Sequence, residues 1–319
     1  MGKNNVSKIF RFTCLLCIIG LGLTAIGCSG GGGGGGNGDV VSSHWTADSG
    51  IRLDPDHAGV AAGTVVADVS VIRLSDNTFR AYYHVGGKGV LSSVSSDGLN
   101  FTLESGTRLA DGHGQVRVIS LSNGAYRLYY TGMIDGTAGI GSYYSTDGLN
   151  FTAESGVRIK ASDYGVDNLS GISLATMPDG TYRAYFSKLA TAGGEIESFQ
   201  TFSASSTDML TFTKDDGIRV GSGSDIDKSA EHPFVIKKSD GTYRMFFYVN
   251  DPTASWTAVS TDGLTWSDAA ETGISGVYSV AEGNDADVVE LADGSWRMYY
   301  GDFDDAVGGI IRSTTSSQY

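Results

Sequence analysis

Asp68, Gln115, Gly171, His232 and Asp285 stand at the same point of an internal repeat in this 319-residue chain, yet they vary in type where the rest of the repeat is uniform. Two residues further on lie Ser70, Arg117, Ser173, Phe234 and Asp287, and Glu231 precedes His232. A polar, convergent and non-repeating set of this kind is what a binding funnel needs. Glu282, Asp285 and Asp287 are also oxygen-rich enough to hold a structural calcium ion. No other cofactor is expected.

The repeat that positions these residues is a tight polar turn followed by an aromatic strand with one arginine. Its copies are Asp76-Asn-Thr-Phe-Arg-Ala-Tyr-Tyr83, Asn123-Gly-Ala-Tyr-Arg-Leu-Tyr-Tyr130, Asp179-Gly-Thr-Tyr-Arg-Ala-Tyr-Phe186, Asp240-Gly-Thr-Tyr-Arg-Met-Phe-Phe247 and Asp293-Gly-Ser-Trp-Arg-Met-Tyr-Tyr300. A second repeat alternates with it, in Ser95-Ser-Asp-Gly-Leu-Asn-Phe101, Ser145-Thr-Asp-Gly-Leu-Asn-Phe151, Ser206-Thr-Asp-Met-Leu-Thr-Phe212 and Ser260-Thr-Asp-Gly-Leu-Thr-Trp266. Turn signals between alternating strands at intervals of roughly 50 residues predict an all-β, five-bladed β-propeller. In the first unit, strand a is expected at Val69–Leu74, b at Phe79–Val85, c at Val90–Ser95 and d at Phe101–Leu109.

The last unit stops after its third strand, and Trp45-Thr-Ala-Asp-Ser-Gly-Ile-Arg-Leu53 matches the missing fourth one. This N-terminal strand should therefore close the ring, leaving no exposed sheet edge. What every copy shares builds the scaffold. Arg80, Arg127, Arg183, Arg244 and Arg297 are accordingly expected to pair with the repeated turn acids, and the Ser-x-Asp aspartates to hold turn amides. The loops Lys188–Ser198, Asn250–Ser255, Asp302–Gly308 and Ala161–Asn168 vary and share one face, where binding belongs.

Ala67-Asp-Val-Ser-Val-Ile-Arg-Leu74 and Glu231-His-Pro-Phe-Val-Ile-Lys-Lys-Ser-Asp-Gly-Thr-Tyr243 resemble two motifs of the five-bladed furanosidase-like glycoside hydrolases, the arabinanase and xylosidase group. The resemblance implies Glu231 as general acid and Asp68 as base or nucleophile, the two carboxyl groups that glycoside hydrolysis requires. The group's third carboxylate falls at Gly171 here. Asp163 and Asp167 are near but out of register, and Asp285 and Asp287 stand as supporting acids. His232, Gln115, Arg117 and His113 are the candidate partners for sugar hydroxyl or carboxylate groups. Trp256, with Tyr164, Phe199, Tyr278 and Phe303, is a candidate for stacking on a sugar face.

The net charge of −14 argues against nucleic acid as a partner. Residues 1–27 read as a signal peptide, with Lys3, Lys8 and Arg11 before an apolar stretch too short for a membrane span. Leu23-Thr-Ala-Ile-Gly-Cys28 resembles a bacterial lipobox, which implies cleavage before Cys28 and a lipid on its thiol. A Gly-rich tether over 28–42 would then join the anchor to a propeller over 43–319. Cys14 and Cys17 fall in the signal, so no disulfide framework follows. The expectation is a monomer in the bacterial cell envelope, at the outer membrane or cell surface. It would act on glycans as a glycoside hydrolase-like propeller, or bind carbohydrate or protein without catalysis.

Overall fold

The computed structural model describes residues 45–192, 195–221, 223–226, 230–250, 253–271 and 284–317. Five four-stranded antiparallel sheets form a five-bladed propeller. The first blade is Val66–Arg73, Phe79–Val85, Gly89–Ser95 and Thr102–Leu103, and the second Gly114–Ser120, Tyr126–Ile134, Thr137–Ser145 and Thr152–Lys160. The third is Leu169–Thr176, Tyr182–Ala192, Glu195–Ser206 and Thr213–Lys214, and the fourth Glu231–Lys237, Tyr243–Asn250, Thr253–Ser260 and Ser267–Glu271. The fifth takes Asn284–Glu290, Trp296–Asp304 and Gly308–Ser316 from the C-terminal end and Trp45–Ala47 from the other. Trp45, Thr46 and Ala47 pair antiparallel with Ser316, Thr315 and Thr314. The ring is thus closed as the sequence predicts.

The outermost strand of the first blade departs from expectation. Only Thr102–Leu103 is strand, followed by a lone bridge between Val90 and Leu109. Beyond that strand, the Glu104 carboxylate accepts hydrogen bonds from Arg80 and from the Ser92 hydroxyl. The chain then turns at Gly106, where φ is +86° and a side chain would be strained.

The blades are held together by a repeated set of contacts. Phe101–Tyr299, Tyr82–Phe151, Tyr129–Phe212, Tyr185–Trp266 and Trp45–Phe246 meet edge to face across successive blade boundaries, with centroids 5.7–6.4 Å apart. Each such pair stabilises by about 0.5–1.5 kcal/mol beyond its buried area. Four of the inner rings are tyrosines, and each donates its hydroxyl to a carbonyl in the next blade's Ser-x-Asp turn, at Gly98, Gly148, Met209 or Gly263.

Three strand-b arginines pair with the acids that follow the Ser-x-Asp turns, not with the acids in them, and Arg297 pairs with Asp48 at the equivalent point of the N-terminal segment. The pairs are Arg80–Glu104, Arg127–Glu154, Arg183–Asp215 and Arg297–Asp48, at 2.8–3.2 Å. The turn aspartates are already committed. In the first turn, Asp97 Oδ1 accepts the backbone N–H groups of Leu99 and Asn100, both at 2.8 Å. A second arginine set, on the outer strands, also bridges blades: Arg52, Arg108, Arg158 and Arg219 donate to the carbonyls of Leu99, Leu149, Leu210 and Leu264.

Candidate functional site

Every innermost strand breaks register near its start, between Ala67 and Ser70, Gly114 and Arg117, Ser170 and Ser173, Glu231 and Phe234, and Asn284 and Asp287. At each break one residue turns left-handed: Asp68 (φ +55°), Gln115 (+50°), Gly171 (+61°), His232 (+48°) and Asp285 (+54°). A non-glycine residue held there is strained by about 1–3 kcal/mol, and such outliers concentrate at functional sites. The bulge brings all five residues to one small cavity on the propeller axis, which Arg117 also lines. The register read from the sequence therefore identifies the axial ring correctly.

A hydrogen-bond network spans that ring. The Gln115 N–H donates to Asp68 Oδ2 at 3.3 Å. The Gln115 side-chain carbonyl accepts from the Gly171 N–H at 2.7 Å and from the Thr131 hydroxyl at 3.1 Å. Its amide nitrogen lies 2.9 Å from Ser170 Oγ and 2.5 Å from His232 Nε2. His232 Nδ1 in turn contacts the Asp285 carboxylate. An amide N–H donating to Nε2 assigns the ring proton to Nδ1, on the side of Asp285. Glu231 is buried beside this chain, with Oε1 3.5 Å from Ser170 Oγ and 3.6 Å from His232 Nε2.

The cavity left inside the ring is about 20 Å³. That is room for about one water molecule. The position of the implied third carboxylate explains the tight fit. A Cβ on Gly171 would lie 3.1 Å from His232 Cα and 3.2 Å from its ring carbon Cδ2. The imidazole thus fills the space that a blade-three side chain would use.

One step below, the next layer ties blade to blade. Ser70 Oγ accepts the Val118 N–H at 3.0 Å, and Ser173 Oγ accepts the Val235 N–H at 2.9 Å. Asp287 accepts the Val71 N–H at 2.7 Å and forms an ion pair with Arg117. Arg117 also donates to the Ile172 carbonyl and lies over the Phe234 ring. Burial pushes the Asp287 carboxyl up against the pull of Arg117, and it pushes the Arg117 guanidinium down. Asp287 is committed to this floor, and Arg117 both lines the cavity and holds its base. Asp287 is paired with an arginine and Asp285 contacts His232, and no group of acids and histidines among the described residues is placed to hold a metal ion. Glu282 lies outside the described residues.

The remaining candidates are dispersed. His113 stands away from the axial cavity, with Nδ1 2.9 Å from the Ala110 carbonyl, Nε2 3.0 Å from the Tyr143 hydroxyl and its ring edge-on to Tyr130. Trp256 packs against the core of the third and fourth blades. Tyr164 and Phe199 are buried, Phe303 is half-buried, and Asp163 and Asp167 are exposed in the loop after the second blade. Tyr278, Cys28 and the whole N-terminal segment lie outside the described residues. Ser170 and Thr131 are site residues that the sequence reading missed. The register does carry a signal for Ser170, since it stands in the third blade where Glu231 stands in the fourth.

No family model matches the sequence, and no curated protein does. Solved structures match it. The fold is similar to that of a thermostable family-43 glycoside hydrolase, with a TM-score of 0.60 and 18% identity over 80% of this chain and 90% of that one. An endo-arabinase from Bacteroides thetaiotaomicron gives 0.58 and 16%, covering 83% of this chain and 97% of its own. An endo-1,4-beta-xylanase from the same organism gives 0.59 and 17%, covering 80% and 92%. At these identities the likeness establishes a glycoside hydrolase-like propeller fold.

Proposed function

We propose that this chain is a glycan-binding propeller of the glycoside hydrolase type, held in the cell envelope by a lipid on Cys28, which binds carbohydrate on its variable-loop face without hydrolysing it. The observation that carries this reading is the filled axis. Hydrolysis needs a sugar residue seated between two carboxyl groups, about 5–9.5 Å apart, with space for the attacking group. Small-molecule pockets run to about 300–1,000 Å³. The axial cavity of about 20 Å³ is far below that, because Gln115, His232 and Asp285 occupy it. The third carboxylate is absent as well, with His232 in its place. A glycan would then approach over the loops around the axis. The structural neighbours named arabinase and xylanase make arabinan and xylan the first ligands to test.

A second reading, hydrolysis with Glu231 as acid and Asp68 as base or nucleophile, is favoured by one observation. Both residues flank the same Gln115–His232 network. A glycan-binding screen run beside a chromogenic-glycoside and polysaccharide screen separates the two, with Glu231→Gln as control. Binding that persists in the variant, with no turnover in either protein, is the expected result. Turnover by the natural chain that Glu231→Gln abolishes would establish the second reading instead.

A further inference from the structure

A cavity larger than the axial one lies away from the axis. A groove of about 310 Å³ opens at the periphery between the second and third blades. Arg158, Lys160 and Lys214 line it, with Tyr164 and Phe212 among its walls. None of these three cations has an ion-pair partner among the described residues, in a chain whose net charge is −14. Asp163 is the one acid in the lining.

The repeat shows that these cations are local departures. Where this boundary has Lys214, the equivalent outer-strand positions have Leu103, Ala153, Asp268 and Ala47. Where it has Lys160, the first and third blades and the N-terminal strand have Ala110, Gly221 and Asp54. Arg158 belongs to the blade-bridging arginine set, but Arg52, Arg108 and Arg219 are buried whereas Arg158 is partly exposed. The adjoining turn also departs from the pattern, with Met209 at φ +60° where Gly98, Gly148 and Gly263 stand elsewhere. Finally, the only helix among the described residues, the 3₁₀ turn Ala161–Tyr164, follows this outer strand and supplies the aromatic wall.

Lys214 is fixed in place by its environment. Its ammonium lies 4.7 Å from the Tyr164 ring centroid and donates to the Asp163 carbonyl at 2.8 Å. That leaves two of its three N–H groups for a ligand. A bare inorganic anion would use the cations alone. Aromatic and aliphatic walls beside cations suit a molecule with one apolar face and one carboxylate. From this combination we infer that the groove between the second and third blades is a second carbohydrate site, one that takes a hexuronate residue of an acidic glycan. The carboxylate sits among Lys160, Lys214 and Arg158, and the sugar ring lies against Phe212 and Val157.

The site extends the glycan-binding reading to a different surface, and the two fail separately. The test is calorimetric titration of the full chain with a galacturonic acid disaccharide, a neutral galactose disaccharide and inorganic sulfate. The variant is Lys160→Ala combined with Lys214→Leu, which installs the residues that the first blade carries naturally. Expected is binding of the acidic disaccharide that weakens with salt and falls at least tenfold in the double variant, while Glu231→Gln leaves it unchanged. The proposal is overturned if the acidic disaccharide does not bind, if the neutral one binds as well, if the double variant binds equally, or if sulfate competes at the same concentration. Loss of arabinan and xylan binding with retained uronate binding would count against the axial-face reading alone.

Discussion

The imidazole of His232 and the missing side chain of Gly171 are two halves of one packing solution. A Cβ at position 171 would meet His232 at 3.1 Å, and the glycine sits at a φ of +61° that disfavours any side chain. Gly171→Asp should therefore destabilise the fold by about 1–3 kcal/mol through overpacking and backbone strain. Combining it with His232→Gly should recover about 1 kcal/mol or more of that loss, as a coupling energy in a double-mutant cycle. Urea unfolding of the four proteins measures it. Strictly additive effects would mean that the two positions do not share the space.

The buried pair beneath the ring makes a different prediction. Asp287→Asn leaves Arg117 charged and enclosed under Phe234 with no carboxylate to balance it. Breaking a buried pair by removing one partner costs about 3–5 kcal/mol. The unfolding midpoint should fall accordingly. A loss below about 1 kcal/mol would show that water or backbone satisfies the guanidinium without Asp287.

The turn aspartates predict how stability changes with pH. Backbone N–H donors, from Asn100, Asn150 and Thr211 first of all, hold the Asp97, Asp147 and Asp208 carboxyls low, Asp208 at about 2. A carboxyl whose folded pKa is depressed adds stability above its unfolded value near 4, and that stability is lost as pH falls toward the folded value. The contribution of these carboxyls to Tm should thus be constant above about pH 5 and decline between about pH 4 and 2. Asp208→Asn should shallow the decline, which a Tm–pH series in the natural chain and the variant would reveal.

Closure of the ring rests on Trp45, which is buried, meets Phe246 edge to face and begins the strand paired to Ser316. Trp45→Ala should lower stability by about 3–5 kcal/mol. Deleting the chain through Ala47 should go further and expose the last strand's edge, a template for association. Size-exclusion chromatography of the deletion variant should show oligomers. A monomeric and equally stable variant would mean that the ring does not depend on this strand.

The repeat makes the blade count, the closing strand and the five axial positions legible in the sequence. Their side chains, however, vary with site while their backbone φ does not, so the pattern locates Asp68, Gln115 and His232 without saying what they touch. That Gln115 and His232 bond to one another, and that His232 takes the place beside Gly171, depends on distances across the axis between strands far apart in sequence. The arginine partners were misplaced for a similar reason. The turn acids and the acids just after them are equally regular in sequence, and only the turn's own amide donors decide which are left to pair. The peripheral groove is marked by Lys160 and Lys214, which break the repeat, but a lone lysine on an outer strand has no meaning until the neighbouring blade is set beside it.

The pairing of Trp45 with Ser316 also dictates an order of assembly. The strand Trp45–Ala47 finds its partner only after the other strands of all five blades have been made. Until then the growing sheet stack has two open ends and no closed circuit of aromatic contacts. Closure of the ring therefore waits on one very long-range contact, and strand edges stay exposed in the interval. A protein built this way commits its final stability in a single late step.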